Sequence, residues 1–141
     1  MMRPAGMPPE FFVSQGRKDK EMEQALMSSG SEAGGMAELG YKTATLANFL
    51  RGGPWDAQRI GGSYHPDFVD YSTVAIGLYA AANGISRTNV LTMQDMVARS
   101  SQYPRATEMD SVYTHLPTRN VFNTDLGYSL YDTGQIHEAA P

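Results

Sequence analysis

The chain of 141 residues contains no cysteine. Disulfide frameworks, cysteine-ligated zinc, iron–sulfur clusters and a thiol nucleophile are therefore excluded. A cysteine-free chain works alike in oxidising and reducing compartments, which suits a protein that crosses between them. Charge is also scarce: Asp, Glu, Lys and Arg make up 18% of the residues, against about 25% in ordinary globular domains. The formal net charge is −4, so the chain on average repels phosphate backbones and is a poor general nucleic-acid binder. A local basic site is still compatible with cutting a nucleic acid. Long apolar runs are missing. The longest weakly polar stretch is Val74–Ala82, far short of the ~20 residues of a membrane span. Met1–Phe12 carries Arg3 and prolines at 4, 8 and 9, with no apolar core of a classical signal peptide. Export is therefore expected to use another route. There is no HExxH, phosphate loop, GxSxG elbow or zinc pattern, and His65, His115 and His137 stand far apart.

What is present is a composition rich in small residues and tyrosine, with 14 Gly, 9 Met, 8 Tyr and 41% hydrophobic residues. The length suits one domain with a core large enough to fold without staples. Prolines and glycines punctuate residues 1–16, Arg17–Met27 has helical spacing at Met22, Ala25 and Leu26, and Ser28–Gly35 reads as a break. Residues 1–35 are thus expected to be a flexible arm with a short helix, and residues 36–141 the folded domain. A helix is expected over Met36–Leu50, stopped by Gly52, Gly53 and Pro54.

The next helix is the clearest. Pro66 suits a first helical position, Asp67 suits the positive end, and Gly84 stops it. Its apolar residues cover most of the circumference, which places it in the centre of the domain. Asp70, Val74, Gly77 and Ala81 form a narrow stripe of small side chains, where another backbone can approach closely. Two further helices are expected, over Thr88–Gln102 and Val121–Thr133. The first has Ser86 as cap and Val90, Met93, Met96 and Val97 inward. The second has Phe122, Leu126 and Leu130 inward, with Asn120 as its cap. Residues 104–120 read as loop with a short turn at Glu108–Tyr113. Period-2 strands are absent, so the fold class is all-α, a compact bundle of four to five helices around a central apolar helix.

Chemistry-bearing residues crowd into Trp55–Tyr71: Trp55, Asp56, Arg59, Tyr64, His65, Asp67, Asp70 and Tyr71. Glycines at 52, 53, 61 and 62 let this loop fold over the start of the central helix. Asp67 and Asp70 stand i,i+3 on one helical face. Two carboxylates so close can split their pKa values into an acid and a base, or hold a divalent cation through oxygen ligands. His65 is placed as a general base or third ligand. Each also has a structural reading. Asp67 and His65 serve as helix-start residues, Trp55 as a core anchor, and the tyrosines as core and rim. Asp70 is either paired, with Arg59 or Arg99, or lines a cleft. Glu108, Asp110, Arg119, Asn123 and Asp125 are weaker candidates.

The segments Phe49–Asp56 (FLRGGPWD) and Tyr64–Gly77 (YHPDFVDYSTVAIG) resemble the bacterial polymorphic toxin type 44 family. Trp55 and Asp56 match the family's W-D turn; Asp67, Phe68, Ala75 and Gly77 match its D-F helix start and small-residue run. Arg119–Gly134 (RNVFNTDLGYSLYDTG) is similar to its closing helix with the G-Y-x-x-Y-D ending. Val69, Val74 and Asp70 stand where the family carries glycine, glycine and asparagine.

The resemblance implies a toxin domain delivered by a secretion apparatus into a rival cell and paired with a cognate immunity protein. A periplasmic target is favoured. The expected activity is hydrolysis of cell-wall glycan, with Asp67 and Asp70 catalytic and His65 and Asp56 supporting them. Trp55, Arg59, Tyr64 and Tyr71 would bind substrate. No cofactor is expected, with a divalent cation held by Asp67 and Asp70 as the alternative. RNA is the alternative substrate, with His65 as base and Arg59 on phosphate. A non-catalytic component of a secretion apparatus or phage particle is the alternative without an enzyme.

Overall fold

A computed structural model describes residues 1–27, 41–50, 53–61, 63–100 and 115–138. The expectations for Ser28–Gly35, residues 36–40, Gly52, Gly62, Gln102, Pro104, Glu108 and Asp110 lie outside the described residues. The fold is all-α. Its helices are α1 (Pro9–Met27), α2 (Val69–Asn83), α3 (Arg87–Ser100) and α4 (Thr118–Asp132). Residues 41–46 are also helical and run into a 3-10 turn at Ala47–Phe49. A minimal antiparallel hairpin, Arg59–Ile60 against Ser63–Tyr64, precedes a 3-10 turn at Pro66–Phe68.

The centre is α2, as its all-round apolar character requires. It packs against α1 and α4 and carries the buried Tyr71, Val74, Ala75, Leu78, Tyr79 and Ala82. Pro66 sits first in the preceding 3-10 turn, where a missing N–H costs nothing. Gly84 ends α2 in the left-handed conformation at φ +82, and its N–H reaches the Ala80 and Ala81 carbonyls. The stripe of small residues works as a contact surface. A Cβ on Gly77 would collide with Thr124 O and lie 3.0 Å from Gly127 Cα. A Cβ on Gly127 would lie 2.7 Å from Leu78 N and 2.8 Å from the Gly77 carbonyl carbon. Helices α2 and α4 therefore cross backbone to backbone through two glycines.

The N-terminal segment departs most from expectation. It is a 19-residue helix starting at Pro9, and Phe12 and Val13 are completely buried. Prolines 8 and 9 do not interrupt it, because proline is accommodated in a first helical turn. The inward stripe is Pro9, Phe12, Val13, Gly16, Asp19 and Glu23. Met22 and Leu26, taken from the sequence as the apolar face, are exposed. The periodicity misleads because the C-terminal half of the buried stripe is carboxylate. Residues 1–27 are therefore not an arm: α1 is part of the core.

An aromatic cluster closes this side of the molecule. Trp55 lies 5.2 Å from both the Phe49 and the Tyr79 ring, and Phe12 lies 5.7 Å from Phe49. Edge-to-face geometry recurs, as expected for rings with positive edges and negative faces.

Helices α3 and α4 meet expectation in part: Val90 is buried and Met93, Leu126 and Leu130 pack against the core, whereas Met96, Val97 and Phe122 do not. The buried residues of α3 are Val90, Leu91, Asp95 and Ala98, while Met96 and Val97 are exposed. Asp95 tolerates the interior because it pairs with Arg99 at 2.9 Å and accepts the His115 N–H at 2.7 Å. Ser86 does cap α3, accepting the Asn89 N–H at 3.2 Å. In α4 the buried residues are Asn123, Thr124 and Gly127, and Phe122 is 67% exposed. A crossing this close admits only small side chains. Helix α4 starts at Thr118 with Pro117, not Asn120, at its cap position.

Candidate functional site

The loop before α2 is built around Asp56. Its backbone N–H donates to Gly53 O, its Oδ1 accepts the Gln58 N–H at 3.1 Å, and its Oδ2 accepts from Arg59 at 3.1 Å. This is an aspartate turn closed by its own ion pair. The His65 N–H then donates to Gln58 O at 2.6 Å, and Gly61 turns the hairpin at φ +64. Gln58 Nε2 donates to Ser72 Oγ at 2.7 Å, pinning the loop to α2. His65 Nε2 lies 3.2 Å from Ile60 O, and against a carbonyl that nitrogen must carry the proton.

The structure divides the expected site residues. Asp56 is only 4% exposed and fully engaged in the turn, so it offers no free carboxylate to substrate. Trp55 is packed in the aromatic cluster. Tyr71 is buried, its hydroxyl donates to Met7 O, and burial pushes its pKa up to about 12. These three are structural, and two of the three rings expected to line a sugar cleft are thereby removed. Tyr64, His65, Asp67, Asp70 and Arg59 stay at the surface, fully or partly exposed. The Arg59 guanidinium lies over the Tyr64 ring at 5.3 Å.

Asp70 has a partner that neither expected arginine supplies. Arg59 pairs with Asp56 and Arg99 with Asp95. Arg119, the second residue of α4, donates through Nε to Asp70 Oδ1, and Asn123 Nδ2 donates to the same oxygen at 2.9 Å. Hydrogen bonding from Arg119 holds the Asp70 carboxyl below its ordinary value, with Asn123 adding to the effect. The Asp70 side chain is still 35% exposed. Among the described residues, both donors fall on Oδ1 and none on Oδ2. The hydrogen bond and charge of Asp70 in turn raise the Arg119 pKa. The start of α2 thus joins Arg119, Asp70 and Asn123, and the hairpin before it carries the Arg59–Tyr64 pair. Asp67 sits exposed on the 3-10 turn just before α2.

A divalent cation shared by Asp67 and Asp70 would have Asp70 Oδ2 to bind, because Oδ1 is engaged. One Asp70 oxygen already takes two N–H donors, one of them cationic. Among the described residues no three His, Asp or Glu side chains converge as metal ligands. Sequence reasoning assigned Arg119 and Asn123 to the opening of the last helix, where they sit i,i+4. Their spacing was the available signal, but their partner on α2 lies 49 residues away.

The Asp70 pair carries a pH dependence. A carboxyl whose folded pKa lies below its ordinary 3.8 contributes stability that is complete above that value. The contribution is lost as pH falls through the lower folded value. Replacing Arg119 with Gln is therefore expected to raise the Asp70 pKa toward 3.8 and destabilise the fold above it, not below. Carbon-detected NMR titration of the Asp70 carboxyl reads this directly, and an unmoved titration refutes it. Both side chains are well exposed, so the effect falls in the small range of surface pairs and weakens with salt.

No family model, curated protein or solved structure matches the chain.

Proposed function

We propose that the chain is an antibacterial effector toxin domain that hydrolyses cell-wall glycan at the start of α2. The observation that carries this reading is Asp70. Arg119 and Asn123 hold it anionic by one oxygen and leave the other free, and Asp67 stands exposed one turn before it. Glycoside hydrolysis needs two carboxyl groups in different protonation states. In this reading Asp70 is the anion that assists at the sugar carbon. Asp67 protonates the leaving oxygen as the glycosidic bond breaks, and water completes the hydrolysis. Tyr64, with Arg59 over its ring, offers the stacking surface for a sugar. A cognate immunity protein and a secretion apparatus are the partners this class requires.

RNA cleavage is the second reading. Arg59 lies over the exposed Tyr64 ring beside His65, a grouping that suits a phosphate and a base. The negative net charge weighs against it. Expression in the bacterial cytoplasm, and again with an added export signal, separates the two. Toxicity on export alone is expected. Asp67→Asn and Asp70→Asn are each expected to reduce hydrolysis of purified wall by roughly 10²–10⁴-fold while the fold persists. Toxicity in the cytoplasm would instead favour RNA. No toxicity in either place, with wall intact, would leave the non-catalytic reading.

A further inference from the structure

A sugar stacked on Tyr64 and attacked beside Asp70 needs two elements held still against each other. Asp70 lies in the first turn of α2, and Tyr64 lies on the hairpin before it. Arg59 and Tyr64 are directly paired across the hairpin, so the guanidinium over the ring is a cross-strand contact. The strands are only Arg59–Ile60 and Ser63–Tyr64. A ribbon that short is marginal in water and does not fix its own orientation. The orientation has to come from outside it.

Gln58, the residue just before the hairpin, supplies an anchor. Its backbone N–H donates to Asp56 Oδ1 at 3.1 Å, and its carbonyl accepts the His65 N–H at 2.6 Å. Both are backbone bonds and survive a change of side chain. The side chain makes a third bond, from Nε2 to Ser72 Oγ at 2.7 Å. The Ser72 hydroxyl itself donates to Val69 O at 3.2 Å, so its oxygen is left to accept and Gln58 must present its NH2. Ser72 is 7% exposed and stands two residues beyond Asp70 on α2. The bond therefore runs from the base of the hairpin to the stretch of helix that carries Asp70.

We propose that Gln58 is a positioning residue for glycan binding: its bond to Ser72 sets the Arg59–Tyr64 face relative to Asp70. The assignment rests on the glycan-hydrolase reading of that site. Gln58 acts through Tyr64 and takes no part in bond breaking. Losing its bond loosens substrate binding rather than chemistry, which raises KM and leaves kcat nearly unchanged.

Two variants remove the same bond from opposite ends. Gln58→Ala and Ser72→Ala are each expected to raise KM for soluble wall fragments roughly 3–10-fold, the span of one net hydrogen bond. The double variant should be no worse than either single one. On a Tyr64→Ala background Gln58→Ala should change nothing further, a result that general loss of stability does not reproduce. Nitrogen-15 relaxation gives a readout free of substrate. In Gln58→Ala the amide order parameters of Arg59, Ile60, Ser63 and Tyr64 should fall from the ~0.85 of rigid backbone toward ~0.6, while those of α2 hold. Unchanged order parameters would overturn the proposal. So would a fall in kcat as large as the rise in KM, or additive effects of Gln58→Ala and Tyr64→Ala. A parent chain that cleaves no wall fragment would overturn the glycan reading instead, and loosened hairpin amides would still establish Gln58 as the anchor of the hairpin.

Discussion

Gly127→Val is expected to unfold the protein or lower its stability by roughly 3 kcal/mol or more, at the upper end of overpacking costs. The new side chain would begin with a Cβ 2.7 Å from Leu78 N and 2.8 Å from the Gly77 carbonyl carbon. Those atoms belong to a helical backbone and have no rotamer to escape into. Helices α2 and α4 would have to separate, and the separation would also pull Arg119 and Asn123 from Asp70. Valine in place of glycine gains a few tenths of a kcal/mol in helix propensity, too little to offset the collision. Gly6→Ala is the control, since nothing lies within 4 Å of a Cβ there. Chemical denaturation followed by circular dichroism measures both. A Gly127→Val protein as stable as the parent would mean that the crossing is looser than described.

Residues with local partners were the legible ones. Pro66, Gly84 and Ser86 bound their helices as expected, because caps act within one turn. The stripe through Gly77 was legible as a place for close approach, though not which helix would occupy it. Helix faces were legible only where burial is apolar. On α1 the inward carboxylates Asp19 and Glu23, and on α3 the inward Asp95, broke the hydrophobic pattern. Each is tolerated through a partner distant in sequence: Tyr79 for Asp19, Lys42 for Glu23, the His115 N–H for Asp95. On α4 the pattern held at Leu126 and Leu130 and failed at Phe122, for the opposite reason. The large Phe122 was displaced outward so that glycine could meet glycine.

The same distance from sequence governs the site. Asp67, Asp70, His65 and Tyr64 were legible as a polar cluster at a helix start, and all four stand at the surface. Asp56 and Tyr71 carried equally suggestive chemistry and went to the interior, and Trp55 went, partly buried, into the aromatic cluster. A tryptophan after a turn can anchor a core or line a cleft. Only the neighbouring rings of Phe11, Phe49 and Tyr79 decide between them.

The N-terminal helix supplies the second large effect. Phe12→Ala is expected to cost roughly 3–5 kcal/mol, the range for emptying a buried aromatic site. Phe12 is fully buried and meets Phe11, Phe49 and Tyr71 across ring distances of 5.2, 5.7 and 6.2 Å. Against the ~5–15 kcal/mol that holds a typical domain together, that loss is a large share of the whole. A chain beginning at Met36 should fare worse still. It lacks Phe12, Val13 and the Gly16 contact, where a Cβ would meet Ala82 Cβ at 2.8 Å. It would also leave Tyr79 without Asp19 and Lys42 without Glu23. An apolar face of α2 and two unpaired polar groups would then meet water together, and no cooperative melt is expected. Differential scanning calorimetry of the two proteins decides the matter. A Met36 chain that melts in a single transition near the parent's temperature would restore the N-terminal segment to the status of an arm.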